Sequence, residues 1–349
     1  MTSADRETKR FSGEHGLGRA LFFSVCVGVL LFLAAGCRGG PQEYVLTGMT
    51  MGTTYTVKAV EAGRDLPRAT IADTIFAIDK VYMSTYAPDS ELSRFNRWAS
   101  QEAFPLSQDT LAVFAIALEV SRQSGGAFDV TVGPLVSAWG FGPEESAPPD
   151  EAALPALRER VGYDKLLIDP VAGTAAKERP DIYCDLSAVA KGYAVDAVAR
   201  LLDAQGYKNY MVEVGGEVRT AGKNRFGEAW QIAVEKPVGE GRSVQRIVPL
   251  SGQAVATSGD YRNFYEKDGL RLSHTIDPRT GRPVSHGLAS VSVIHAECAW
   301  ADAYATALMV LGPDEGYRFA VDHGIAAFFI IHAGADGFTE RATPAFPGA

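Results

Sequence analysis

Lys165–Gly206, KLLIDPVAGTAAKERPDIYCDLSAVAKGYAVDAVARLLDAQG, changes its structural period partway along. KLLID (165–169) and DIYCD (181–185) are short, apolar and bounded by Pro or Gly, which predicts two strands. From Ser187 to Gly206 the apolar residues recur three and four apart, which predicts a helix entered from the second strand, with Ser187 as its cap. Working outward, strands are expected at 210–214, 230–234, 253–257, 289–295 and 326–332, with one helix at 299–311. Upstream, TMGTTYTVKAV (50–60) alternates as a strand, and Ile71, Ile75, Ile78 and Tyr82 set a helix over 71–83. Ser107 is the expected N-cap of a helix over 110–124, ended by Gly125-Gly126. GFGPEESAPPDE (140–151) reads as a surface loop. Strands outnumber helices and short turns join many of them, so the expected class is α+β: one compact body of mixed or antiparallel sheets with packed helices, with room for two subdomains. No G-x-G-x-x-G opens a helix and no G-x-x-x-x-G-K-[ST] occurs, so Rossmann and P-loop folds lose their main support.

The first 36 residues differ from this pattern. Arg6, Lys9, Arg10 and Arg19 precede the apolar run Ala20–Ala35, too short for a span of about 20 residues. A small-residue stretch then ends in LAAGC, the form of a bacterial lipoprotein signal with Cys37 as the lipidated residue, although Ala34 stands where Leu is commoner. An uncleaved signal anchor is the alternative. Either way the body faces outward from the cytoplasmic membrane, the expected location being the periplasmic side of the inner membrane. Arg38 is not the Asp that retains some lipoproteins there, which leaves the outer membrane open. Losing four basic and three acidic side chains with the leader takes the formal charge from −9 to −10. So acidic a body argues against nucleic-acid binding. Cys184 and Cys298 are the only cysteines beyond the leader and Cys37. One disulfide between them is conceivable in that compartment, but two cysteines make no framework.

Several segments hold residues suited to chemistry. On AWADAYATALMVLG, Asp302 and Thr306 are four apart, so a carboxylate and a hydroxyl project from one helix face as hard oxygen donors of the kind Mg2+ takes. In isolation Asp302 reads more readily as a solvated or capping residue than as a ligand. Asp185 and Ser187 stand at a helix N-terminus, where free N–H groups attract phosphate, and Lys191 lies one turn further on. A plain strand, cap and exposed lysine explain the same residues. GGAFD (125–129), VGGEV (214–218) and TSGDY (257–261) are Gly-rich turns that allow a close backbone approach to a ligand or simply turn the chain. HTIDPRTGRP (274–283) combines a histidine with the composition of a tight turn.

In order along the chain, TMGTTY, MSTYAPDSELSRFN, GGAFDVTVGPLV with AWGFG, CDLSAVAKGYAVD, VEVGGEVRTAGKN, AVATSGDYRNF, HTIDPRTGRP and CAWADAYATALMVLG resemble the ApbE family of FAD-binding lipoproteins. That family comprises flavin transferases that move FMN from FAD onto a threonine of a partner protein. The likeness runs from about Thr47 to Gly312. It implies a leader over 1–36, a lipidated tether over 37–46 and an FAD-binding domain over 47–345. It also implies that Met51, Tyr86, Ala127, Phe128, Asp129, Asp185, Lys191 and Ile276 line the FAD site, and that Mg2+ is held by Asp302, Thr306 and the backbone carbonyl of Ala188. Where relatives often have Asn before the double glycine and Asp after it, this chain has Glu213 or Val214 before and Glu217 after, which weakens a specific role for that turn. Cys298 stands where the family commonly has cysteine, which argues further against a disulfide.

The activity so implied is Mg2+-dependent. A threonine hydroxyl attacks the FMN phosphorus of FAD and AMP leaves. His274 is the candidate base because imidazole titrates near neutrality, with Asp277 to orient it or serve the metal region; a structural histidine bonded to its own loop is the competing reading. The other histidines beyond the leader read as structural or exposed. Expected partners are FAD, the membrane through the lipid anchor, and an acceptor redox protein with a Ser/Thr-Gly-Ala-Thr-like threonine motif. Two other functions share the same residues: an FAD pyrophosphatase releasing FMN and AMP, and a non-catalytic FAD-binding lipoprotein.

Overall fold

A computed structural model describes residues 41–142, 148–238, 243–260, 264–267, 270–334 and 337–348. The chain opens with the hairpin β1 (Gln42–Thr50) and β2 (Thr53–Glu61), followed by α1 (Arg68–Phe76), which continues as a π-helical turn over Ala77–Met83. Next come α2 (Glu91–Arg97), the two-residue β3 (Phe104–Pro105), α3 (Gln108–Gln123), α4 (Gly133–Ala138) and α5 (Leu154–Arg158). β4 (Leu166–Asp169) and β5 (Thr174–Lys177) lead to α6 (Ser187–Ala204), β6 (Tyr210–Val214) and β7 (Glu217–Ala221). A ribbon of β8 (Trp230–Glu235) and β9 (Val244–Leu250) precedes β10 (Ala254–Gly259) and the short pairs β11 (Phe264–Lys267) with β12 (Leu270–Ser273) and β13 (Ile276–Asp277) with β14 (Arg282–Pro283). β15 (Leu288–His295), α7 (Cys298–Asp322), β16 (Ala326–Ala333) and β17 (Gly337–Ala342) complete the described elements.

Eight strands form the main sheet in the order β1-β2-β6-β7-β10-β15-β16-β17, each neighbouring pair antiparallel. The fold is therefore α+β with antiparallel sheets. Both faces of its centre are covered. Val291 and Val293 of β15 and Ala327 and Phe329 of β16 pack toward the helices, whereas Ile294, Phe328 and Ile330, one residue out of phase, join Val234, Val248 and Leu250 of the β8–β9 ribbon. Burial on both sides explains why LASVSVIH is apolar or small throughout and shows little hydrophobic alternation.

Sequence expectations and structure part at definite places. Met51 and Gly52 are a turn, so the strand expected from Thr50 starts at Thr53, and residues 42–46, read as tether, already belong to β1. DIYCD forms no ladder. The Asn96 side chain binds both main-chain groups of Cys184, Nδ2 donating to its carbonyl and Oδ1 accepting from its amide, each at 2.8 Å, while the Asp185 amide donates to Val130 O at 2.7 Å. The true partner of β4 is β5, a run of small residues without a strong strand signature. Ser187 is not the cap of α6; the Asp185 carboxylate accepts the Ser187 amide at 2.8 Å instead. The helix expected to end at Leu311 does break there, at Gly312 with φ 78° followed by Pro313, but resumes to Asp322. Ser107 does cap α3, accepting from Thr110 N. Cys184 and Cys298 are both buried and unpaired. The leader, Cys37 and residues 143–147 of the expected surface loop lie outside the described residues. Among those described, no helix is long and apolar enough to cross a membrane.

Candidate active site

Two helices set the geometry. α6 and α7 touch so closely that a Cβ on Gly192 would come 2.5 Å from Cys298 O, so only glycine fits there. One turn further along α6, Asp196 caps α7 from outside its own chain segment: Oδ1 accepts from Cys298 N and Oδ2 from Ala299 N, both at 2.9 Å. Arg219 of β7 donates to Asp196 Oδ1 at 2.6 Å. The nominal N-cap of α7, Glu297, makes no side-chain cap bond, so the carboxylate that satisfies this helix end and its dipole comes from α6.

Asp302 follows one turn into α7 and is 3% exposed. Its Oδ2 accepts from Gly192 N at 3.0 Å, the amide that an ideal helix commits to Ala188 O. Its Oδ1 is 3.5 Å from Lys191 Nζ, which also lies 3.2 Å from Glu217 Oε1. Burial works against the lysine charge, but Asp302 and Glu217 together outweigh it and hold Lys191 protonated above the usual lysine range. Burial also pushes the Glu217 carboxyl up to about 8, with Lys191 opposing and Asp302 adding to the rise. Thr306 Oγ1 is 3.2 Å from Ser258 Oγ of β10.

These residues open on a cavity of about 920 Å³, near the top of the range of about 300–1,000 Å³ for small-molecule sites. Its wall is assembled from many elements: Thr53 and Thr54 from β2, Glu217 from β7, Ile232 and Val234 from the ribbon, Asp185, Ser187, Ala188 and Lys191 at and just before the start of α6, and Asp302, Thr306 and Val310 from α7. Of the residues expected at an FAD site, Tyr86, Ala127, Phe128, Asp129, Asp185, Lys191 and Ile276 all line it, as do Ala188 and His274. Asp129 is buried and fixes the loop: Oδ1 accepts from Thr131 N at 2.8 Å and Thr131 Oγ1 at 2.6 Å, and Oδ2 from Tyr163 N at 2.8 Å. Its pKa is raised by burial, with the Thr131 and Tyr163 hydrogen bonds opposing the rise.

Two expected residues stand elsewhere. Met51 does not line the cavity; at φ 47° it occupies the β1–β2 turn, its amide donating to Asp79 Oδ2 at 2.9 Å, and its neighbours Thr53 and Thr54 reach the wall instead. Asp277 is not part of the wall either. Oδ1 accepts from Arg279 N and Nε at 2.9 and 3.0 Å, and Oδ2 from Arg279 Nη2 at 3.1 Å, so this carboxylate is committed to the turn rather than to a metal region. That turn, Pro278–Gly281, is closed by Gly281 N donating to Asp277 O at 2.8 Å, and Trp139 Nε1 donates to Gly281 O at 2.8 Å. Ile276 is both wall and anchor, packing with Leu135, Trp139 and Leu154. His274 is half-buried with its ring edge-on to Phe141, centroids 6.3 Å apart. His286, read as structural, is so: Nε2 pairs with Met309 O at 2.8 Å and Nδ1 accepts from Leu288 N. Glu217, Asp196 and Asn96 were not singled out from the sequence for these roles. Only Glu217 carried a signal there, as the acid that follows the double glycine.

Among the described residues no three His, Cys, Asp or Glu side chains gather as a metal cage. A cation beside Asp302 would therefore depend on the Thr306 hydroxyl, a main-chain carbonyl, water and phosphate oxygens, a hard-oxygen set that suits Mg2+. Glu217 Oε2 lies buried on the same wall with no hydrogen-bond partner. The residues present thus fit such an ion.

A model of the ApbE family matches residues 51–329. The FAD:protein FMN transferase of Vibrio cholerae serotype O1 is 45% identical over 322 residues, covering 90% of this chain and 95% of that protein. The Escherichia coli K12 protein of the same name is 39% identical over 344 residues, 95% of each chain. The solved structure of the flavin transferase ApbE from Vibrio cholerae has a TM-score of 0.80 at 44% identity, covering 88% of this chain and 98% of that one.

Proposed function

The chain belongs to the ApbE family, and from that premise we propose that its cavity holds FAD and passes the FMN half to a threonine hydroxyl of an acceptor protein, with AMP as the leaving group. The activity is that of an FAD:protein FMN transferase. The observation that carries the assignment of parts is that Asp185, Lys191, Asp302, Thr306 and His274, drawn from distant parts of the sequence, open on one cavity.

The pyrophosphate of FAD is anionic and repels a nucleophile. The α6 N-terminus, with its amides and positive dipole end, faces that charge, and Lys191 one turn on adds a permanent cation. Asp302, Thr306 and the Ala188 carbonyl would hold Mg2+, which when bound neutralises phosphate charge and orients the scissile linkage. Buried residues around Asp302 keep those donors fixed and bulk water out. His274, on the wall of the same cavity, would take the proton of the incoming hydroxyl, a contribution of about 10² to 10⁴ in rate. Asp277 acts on this step only through the turn it builds with Arg279. The lipid anchor we propose at Cys37, on the periplasmic side of the inner membrane, is supported by the charged leader, the short apolar run and LAAGC.

The test is to incubate the chain with FAD, Mg2+ and a domain carrying a threonine in a Ser/Thr-Gly-Ala-Thr context, then weigh the products. FMN on the acceptor is the expected result; free FMN with AMP would make the chain a pyrophosphatase, and unchanged FAD would leave it a binding protein. His274→Ala is expected to abolish transfer and keep FAD binding. Transfer by that variant at the wild-type rate would remove His274 from the mechanism.

A further inference from the structure

Lys191 stands between two buried carboxylates from different elements, and they use their oxygens differently. Asp302 Oδ2 is tied to Gly192 N at 3.0 Å, which leaves Oδ1, 3.5 Å from the ammonium, as the oxygen free to take another cation. Lys191 is therefore a competitor for the oxygen a metal would need. Glu217 draws the same ammonium the other way. Its Oε1 is the nearer acceptor at 3.2 Å, and its Oε2 is buried and unpartnered in a residue only 3% exposed. A carboxyl group buried at the end of a hairpin costs desolvation, which the bonds to Lys191 and to its own main-chain amide offset only in part.

Resting on the reading that a divalent cation sits at Asp302 and Thr306, we propose that Glu217 is a positioning residue for that site: it holds the Lys191 ammonium on the β7 side and so keeps Asp302 Oδ1 open to the cation. Glu217 acts through Lys191 rather than as a ligand. With Glu217 gone, Lys191 has one carboxylate left to bond, and a divalent ion must break that pair before it can bind. The VGGEV hairpin thereby acquires a use that depends on the acid after the two glycines.

The experiment is a titration of Mn2+ alone into the full chain, without FAD, reading free Mn2+ by its electron paramagnetic resonance signal. Glu217→Leu removes the acceptor whatever the protonation state of the carboxyl, and should weaken Mn2+ binding by about 10–100-fold, the usual effect of losing an outer partner of a metal site. Adding Lys191→Met to that variant removes the competitor and should restore affinity to within about threefold of wild type, since no ammonium is left to hold aside. Unchanged affinity in Glu217→Leu overturns the proposal, as does a double variant that binds no better than the single one, because Glu217 would then act on the ion directly. If Glu217→Leu fails to fold, Lys191→Met alone decides: binding at least as tight as wild type supports competition, and weaker binding overturns it. A wild-type chain that binds no Mn2+ removes the metal reading itself, and the proposal falls with it.

Discussion

Replacing Asp196 with alanine should show how strongly the site depends on a cap supplied from another helix. The carboxylate is 1% exposed and serves three donors: Cys298 N, Ala299 N and Arg219 Nη1. Two buried amides left without an acceptor cost about 1–3 kcal/mol each. Removing one partner of a buried ion pair costs about 3–5 kcal/mol. These contributions overlap, because the same two oxygens make all the bonds, so the expected total is about 3–5 kcal/mol rather than their sum. At roughly 2 °C per kcal/mol for a chain of this length, Asp196→Ala should melt about 6–10 °C below wild type. Asp196→Asn keeps one oxygen and should lose about half as much. Thermal melts followed by circular dichroism measure this directly. The same variants should also lose transfer rate when assayed well below their melting points, since Asp302 lies one turn beyond the uncapped end and a misplacement of about 1 Å costs on the order of 10²-fold. A melt within 2 °C of wild type would refute the energetic reasoning, and a lowered melt with full transfer rate would refute the link from cap to site.

Asn96→Ala removes both bonds that fasten Cys184, and with them the strap holding Asp185 at the start of α6. Its FAD affinity should fall by roughly tenfold, equivalent to about 1.4 kcal/mol, as measured by quenching of flavin fluorescence; unchanged affinity would show that Val130 alone holds the segment. Lys177 is 1% exposed, with Nζ donating to Pro180 O at 2.9 Å and Asn96 O at 3.2 Å, and burial lowers its pKa from 10.5 against the smaller opposing effects of Cys184 and Asp181. Between the lowered folded value and 10.5 the unfolded chain binds the proton more tightly, so this group makes stability rise with pH in that window, a contribution complete above 10.5 and lost as pH falls through the folded value. Urea melts of wild type and Lys177→Met from pH 8 upward should therefore differ in slope, wild type gaining more stability with pH; parallel slopes would contradict the shift.

How far the sequence could be read depended on where each signal lay. α6 was legible because one uninterrupted apolar stripe, from Val189 through Tyr193 and Val195 to Leu202, must face a core whatever surrounds it. β6 was legible on a two-residue period and β16 as a short continuous apolar run, since both of its faces are covered. DIYCD misled because its composition suits a strand, whereas its backbone partners are the side chain of Asn96 and the carbonyl of Val130, and nothing in five residues reports what lies across from them. Ser187 misled in a related way: it is a good cap residue in the capping place, but Asp185 two positions earlier reaches the amide first. Asp302 with Thr306 could be found, since helical spacing alone puts both on one face. The arrangement that makes Asp302 useful could not, because it needs Gly192 to admit the helix, Asp196 to cap it and Glu217 to draw Lys191 aside. Gly192 and Asp196 act on a helix far along the chain and Glu217 on a different element from its own, and each is unremarkable in its own segment: a glycine within a helix, an acid within a helix, an acid after a turn. A local pattern can show which groups are able to do chemistry, but what tunes them is mutual position, and mutual position here is set by the packing of α6 on α7 and of both on β7.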